Sequence, residues 1–266
     1  MKIMNLVGTI ARRLGFDLTK VRSATGKVVG ARLVRVGFDQ SPISTFGVDG
    51  QTLSFFVADP ADLVQQCHAR GHLYEIEELE IIKKHFRGGV FVDIGANVGN
   101  HLIYALKILG ASNAIAFEPN PAANAILRVN IALNDLDNKT TVHAIGLSSS
   151  KGCATVAFQQ VHNLGSARLA TGAGSLVVER GDAILNDPVN FIKIDTEGME
   201  LEVLAGLHQT ITRCRPVLFV EVEDIHLSAF EALLAEHQYE IAEHFRRYPG
   251  LANYVAAPMS NGEKIA

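Results

Sequence analysis

Asp93, Gly95, Asn97 and Gly99 follow one another at alternate positions in VFVDIGANVGN, where a short apolar run turns into a helical pattern. Gly95 and Gly99 carry no Cβ, so the turn can take unusual dihedrals and let a ligand approach its backbone. The helix beyond offers free N–H groups and the positive end of its dipole. Asp93 at the strand tip would repel a pyrophosphate and suits a cationic or amine-bearing ligand, which points to S-adenosylmethionine rather than NAD. DIGANVGN also departs from the dinucleotide pattern GxGxxG. A tight strand-to-helix connection without a ligand is the plain alternative. The Asn97 amide can fix the turn or meet the amino-acid part of a cofactor. Glu118 ends the next apolar run, AIAFEP, 25 residues after Asp93, and its carboxylate can accept both ribose hydroxyls. Asn134 and Asp135, after the following helix, can approach an adenine edge or cap the helix exit.

These residues need an alternating framework of strands and helices. Ile76, Leu79, Ile82 and Phe86 recur on one helical face, and Gly88 and Gly89 stop that helix before a strand at 90–94. A helix over 98–109, a strand over 113–117, a helix over 121–133 and a strand over 140–145 follow. NFIKID supplies another strand, GMELEVLAGL its helix, and PVLFVEV a strand too continuously apolar for an exposed edge. Ser228 and Glu231 have capping-box spacing before the next helix. YEIAEHFRRYPGLANYVAAP reads as a terminal hairpin that places an antiparallel strand in a mostly parallel sheet. Residues 151–187 read as irregular or hairpin-containing. Upstream, VVGARLVRVGF and TLSFFVA, separated by the turn region FGVDG, read as a small β extension, and Met1 to Phe16 as an amphipathic helix. The expected division is an N-terminal helix and β extension over 1–73 and an α/β domain over 74–266.

FVDIGANVGN, IAFEPNP, NIALND, NLGSARL, FIKIDTEGMELEVLAGL and PVLFVEVE together resemble the FkbM family of S-adenosylmethionine-dependent methyltransferases over roughly residues 70–225. The resemblance implies a class I methyltransferase (Rossmann-like) fold, a seven-stranded mixed sheet with flanking helices and its final strand antiparallel. It implies methyl transfer to a hydroxyl of a sugar or natural-product scaffold. It assigns Asp93, Gly95, Asn97 and Gly99 to the methionine-side loop, Glu118 to the ribose and Asp195 to the methyl-transfer edge. Tyr74 and Glu75 resemble an entrance-side pair that covers the cofactor, or orient the helix that follows them. The N-terminal extension and residues 151–187 match less and are expected to define the acceptor.

For a hydroxyl acceptor, a positioned base takes the proton as the oxygen attacks. Asp195, at the end of a buried strand, is the expected base. Glu197 orients the acceptor, assists proton transfer or simply favours a helix N-terminus. Lys193 lies two positions before Asp195 on the same strand face and can pair with it. Glu221 and Glu223 share a face and can line the cleft, with Glu221 the third catalytic candidate. With His226 they also permit a divalent ion, but their spacing is not a recognisable metal motif, so a metal-free site is favoured. Arg168, with His162 and Asn163, can meet an anionic or polar acceptor or form a self-bonded cap.

The composition, 48% hydrophobic and 20% charged over 266 residues, suits a folded chain with a full core, and the net charge of -4 gives no broad positive field for duplex nucleic acid. Cys67, Cys153 and Cys214 are spaced as neither a disulfide framework nor a zinc site. With no apolar run of transmembrane length and no convincing signal cleavage site, a cytoplasmic location is expected. The leading expectation is an O-methyltransferase using S-adenosylmethionine on a small-molecule or carbohydrate acceptor, with homo-oligomerisation left open. The alternatives are an RNA ribose 2'-O-methyltransferase, a non-catalytic cofactor-binding interaction protein and an oxidoreductase.

Overall fold

The computed structural model describes residues 16–22, 28–35 and 42–259. The helix expected over Met1 to Phe16 therefore lies, but for its last residue, outside the described residues. β1 (Phe16–Arg22) and β2 (Val28–Arg35) pair antiparallel as a separate two-stranded sheet. β3 (Ile43–Val48) and β4 (Gln51–Phe56) form a second hairpin around Asp49 (φ 46°) and Gly50 (φ 78°). The region FGVDG is thus less of a turn than its glycines suggest. Asp-Gly with both φ positive reverses the chain in two residues, leaving Phe46 to Val48 in the strand.

The chain then runs through α1 (Gln65–Ala69), α2 (Ile76–His85), β5 (Val90–Ile94), α3 (Asn100–Lys107), β6 (Asn113–Phe117), α4 (Pro121–Leu133) and β7 (Thr140–His143). Next come β8 (Gly146–Leu147), β9 (Gly152–Phe158), β10 (Arg168–Thr171), β11 (Leu176–Glu179), β12 (Phe191–Ile194), α5 (Glu200–Gly206) and α6 (His208–Cys214). It finishes with β13 (Val217–Glu223), α7 (Leu227–Glu236), β14 (Tyr239–Tyr248) and β15 (Leu251–Pro258).

The main sheet has seven strands in the order β7-β6-β5-β12-β13-β15-β14. Its first five are parallel, and β15 is antiparallel to both neighbours, as the terminal hairpin pattern predicts. β12, FIKI, is buried at every position because helices cover both faces. Alternation along paired β5 and β12 divides the core. Phe91 and Phe191 stack at 5.3 Å, with Phe86 edge-on to both, on the side of α2, α3 and α4. Val92, Ile94, Ile192 and Ile194 point the other way, to Val203, Leu204 and Leu207 of the α5–α6 region and Phe230 of α7.

Residues 151–187 form the bulk of a four-stranded sheet, β10-β9-β11-β8, built on an antiparallel β9–β10 pair. The capping box expected from Ser228 and Glu231 is not formed. A 3-10 turn over Asp224–His226 runs straight into α7, which makes His226 the N-cap and puts Ser228 inside the helix. Cys67, Cys153 and Cys214 are free thiols. Among the described residues, no helix is long and apolar enough to cross a membrane.

The β3–β4 hairpin is fastened to this body by two buried asparagines of α4 and its C-terminus. Asn130 accepts the Phe56 N–H (2.7 Å) and donates to the Val98 carbonyl (2.8 Å). Asn134 accepts the Ser54 N–H (3.0 Å) and donates to the Ser54 carbonyl (2.7 Å). Asn130→Ala leaves one buried N–H and one buried carbonyl without their partner, which costs roughly 2–4 kcal/mol. The expected outcome is a melting temperature lowered by several degrees in scanning calorimetry; an unchanged melting temperature would show that the pin contributes nothing.

Candidate functional site

Between β5 and β12 the order of strands reverses: the chain moves outward through β6 and β7 on one side, and through β13 on the other. Such a switch point leaves a crevice at the C-terminal strand ends. A cavity of about 400 Å³ opens there. Gly95 and Asn97 enter it from the loop after β5, Glu118 from the end of β6, Asp195 and Glu197 from the turn after β12, and Glu221 from the end of β13. Tyr74 and Glu75 close one side, and Leu63, Val64, Gln160, Asn163, Leu164, Gly165, Ala167, Leu169, Tyr248 and Leu251 contribute the outer wall.

Lys193 sits beneath the floor with only 3% of its surface exposed. Its ammonium lies 3.4 Å from Asp93 and 3.2 Å from Asp195, and donates to the Gly95 carbonyl at 3.0 Å. Burial pulls the Lys193 pKa down, but Asp195, Asp93 and Glu75 together outweigh it and hold the group charged. The glycine loop is closed from the other side by Gly95 and Ala96 N–H groups on the Phe117 carbonyl (3.0 and 3.2 Å). Gly95 adopts φ +80°, and a Cβ there would stand 1.8 Å from the Asp195 carbonyl oxygen, so no other residue fits without moving the β12 turn.

The expected cofactor residues separate into two groups. Glu75, Gly95, Asn97 and Glu118 line the cavity. Asp93 does not: it is wholly buried on β5 as the counter-ion of Lys193, and burial raises its pKa against that pull. Gly99 (φ +92°) makes room for Leu127, whose Cδ1 would be 2.7 Å from an added Cβ. Asn134 caps α4 and holds β4, and exposed Asp135 (φ 58°) turns the chain out of that helix. Neither lies in the cavity wall, because α4 carries its C-terminus away from the strand ends.

Asp195, Glu197 and Glu221 do come together. Glu197 (φ 57°) occupies a left-handed turn completed by Gly198 (φ 106°). The buried Glu200 carboxylate shapes that turn by accepting the Thr196 N–H (2.9 Å), the Thr196 hydroxyl (3.0 Å) and the Gly198 N–H (3.0 Å). Burial, then Asp195, raises Glu197 to about 7, and the same two causes raise Glu221 further. Glu75 is raised by burial and Asp195 as well. It is left-handed (φ 55°), and its position is set by Asn100, whose amide holds both the N–H and the carbonyl of Tyr74 (3.0 and 2.9 Å).

Glu118 is buried and raised to about 7, yet each of its oxygens accepts a backbone N–H, from Asn97 (2.8 Å) and Asn120 (2.7 Å). Those bonds aim the carboxylate and leave lone pairs for a ligand diol. Asn97 Oδ1 and Asn120 Nδ2 are buried without a hydrogen-bond partner among the described residues, one an acceptor and one a donor in the cavity wall. A glycine cradle, an aimed carboxylate and two unsatisfied amides fit a polar nucleoside cofactor.

Several acceptor-side expectations are redirected. Arg168 pairs with Glu223 (2.9 Å), which removes both from the cavity and ties β10 to β13. Exposed His162 pairs with Asp59 (2.8 Å), whereas Asn163 does line the wall. Asp62, in the turn before α1, carries no sequence motif that marks it. It accepts Val64 and Gln65 N–H groups with one oxygen and the Leu164 N–H (2.8 Å) with the other, joining the two halves of the outer wall. Asp195, Glu221, Glu223 and His226 do not gather as metal ligands. Among the described residues, the His, Cys, Asp and Glu donors close enough for that belong to His208, Glu236 and His237, on α6 and the end of α7.

The raised Glu197 carries a pH signature. Its folded pKa of about 7 exceeds the ordinary 4.5, so stability fully present below the lower value is lost as pH rises to the upper one. Glu197→Gln is therefore expected to gain stability over the native chain progressively between those pH values and by a constant amount above them. Denaturant titration across pH checks this; a gain independent of pH would contradict the burial effect.

Comparisons with known proteins identify the family. The Methyltransferase FkbM domain matches residues 93–248, more than half of the chain. Hexuronic acid methyltransferase AglP of Haloferax volcanii is 34% identical over 143 residues, covering 50% of this chain and 55% of that protein. The match thus spans about half the length of that relative. Methyltransferase sdnD of Sordaria araneosa is 26% identical over 210 residues, covering 64% and 78%. A solved FkbM methyltransferase from Methylobacillus flagellatus KT has 21% identity and a TM-score of 0.46, over 72% of this chain and 52% of that one. The domain match takes in the glycine loop, Glu118, the Asp195 turn and Glu221, and the chain belongs to the FkbM methyltransferase domain family.

Proposed function

We propose that the chain is an S-adenosylmethionine-dependent O-methyltransferase acting on a hydroxyl of a small molecule or glycan. The observation that carries this reading is the convergence of Glu118, aimed by two backbone N–H groups, and Asp195, held by Lys193, on one cavity at the switch point. The family supports it, and so do the two relatives, both named as methyltransferases.

S-adenosylmethionine supplies a methyl group already activated on a sulfonium, so the protein's task is alignment and removal of a proton. Glu118 accepts the ribose hydroxyls, and the Asn97 and Asn120 amides take polar groups of the same ligand. With the cofactor bound, Asp195 would take the acceptor hydroxyl's proton while the methyl group passes to the acceptor oxygen with cleavage of its bond to sulfur, leaving S-adenosylhomocysteine. Lys193 positions Asp195 from below, while Glu197 and Glu221 hydrogen-bond the acceptor.

Two measurements test this. Calorimetric titration with S-adenosylhomocysteine should show saturable binding that NAD does not share and that Glu118→Ala weakens at least tenfold; a folded protein that binds neither would overturn the reading. Asp195→Asn should lower kcat by about 10²–10⁴ while S-adenosylhomocysteine affinity stays within a few-fold, the split expected of a general base. Undiminished turnover would remove Asp195 from that role.

A further inference from the structure

Five carboxyl groups line the cavity, those of Glu75, Glu118, Asp195, Glu197 and Glu221, and among the described residues no Lys, Arg or His side chain lines it with them. The cations around it are already paired. Lys193 lies below the floor between Asp93 and Asp195, Arg168 is turned to Glu223, and Arg247 is bound by Glu77 and Glu78. His101, 3.6 Å from Glu75, is kept neutral by burial and by Lys193. The remaining polar side chains of the outer wall are the amides of Gln160 and Asn163 and the Tyr248 hydroxyl, set among Leu164, Leu169 and Met199.

A ligand carboxylate or phosphate would enter this space without a free cation to meet it and with Asp195 facing it. The protein's own acids report the same field: Glu75, Glu197 and Glu221 all resist ionisation, with burial and then Asp195 as the causes. Carboxyls that keep a proton remain good partners for hydroxyls, donating and accepting in turn. An ammonium would be drawn in.

Resting on the methyltransferase reading, we propose that the acceptor is a non-anionic hydroxylated ring, a neutral or amine-bearing sugar, and not a uronate or a polyanion such as RNA. This separates the chain from the relative whose name specifies a hexuronic acid, although the two share the family scaffold.

The test uses the full chain saturated with S-adenosylhomocysteine and three methyl glycosides that differ in one group: glucoside, glucosaminide and glucuronide. Binding is read by ligand-observed saturation-transfer NMR at neutral pH. The glucoside and glucosaminide should bind, with the glucuronide weaker by about tenfold or more, as a like-charge contact in a cavity walled off from water requires. Glucuronide binding equal to or tighter than glucoside binding would overturn the proposal, and so would absence of binding by all three. Failure of S-adenosylhomocysteine to bind, read in its own titration, would instead fall on the methyltransferase reading.

Discussion

A single buried ammonium sets the geometry of the cavity floor. Lys193 is surrounded by apolar β-sheet and would be expelled or neutralised there were it not met by Asp93, Asp195 and the Gly95 carbonyl. The three partners come from two adjacent strands and the loop above them, so the charge cannot be satisfied unless β5 and β12 are in register. Removing the ammonium would leave the wholly buried Asp93 without its counter-ion, which costs several kcal/mol. The same contact that makes the sheet pair correctly also fixes the glycine loop and orients the acid assigned to proton transfer.

Around that floor the site is an exercise in placing carboxyls where they ionise reluctantly. Glu118 is the exception in kind: burial raises it, but two backbone N–H groups pull the other way and point it into the cavity. Glu75 and Glu197 both sit in left-handed backbone, a conformation that is costly for residues with a Cβ. In each case the surroundings enforce it, through Asn100 on Tyr74 and through Glu200 on the β12 turn. Strain of this sort is spent on aiming side chains, not on stabilising the fold.

The outer wall is assembled differently. Leu164 packs on the small apolar cluster that contains Val64, and polar contacts join residues 160–169 to the segment around Asp62: Asp62 to the Leu164 N–H, Leu63 N–H to the His162 carbonyl, His162 to Asp59. Arg168 and Glu223 fasten the same segment to the C-terminal end of β13. A wall held by hydrogen bonds and ion pairs can change its lining without disturbing the core, a property suited to the part of the cavity that meets the acceptor.

Local pattern was enough to place β5, β6, α4, β12 and β13, because apolar periodicity and glycine or proline boundaries are properties of neighbouring residues. It was also enough to mark Gly95, Asn97, Glu118, Asp195, Glu197 and Glu221, whose positions at strand ends follow from those elements. Asp93 reads in sequence like a ligand-facing acid; only the register of β5 against β12 reveals Lys193 beside it and turns it into a counter-ion. Arg168 reads like an anion-binding group until the fold brings Glu223 to it across 55 residues. Asn134 and Asp135 follow a helix whose direction, and hence its distance from the strand ends, is a tertiary property. Element identity was therefore determined by sequence, through periodicity and turn chemistry. Which charges face a ligand and which neutralise one another was decided by tertiary structure, because pairing depends on distances between residues that the chain separates.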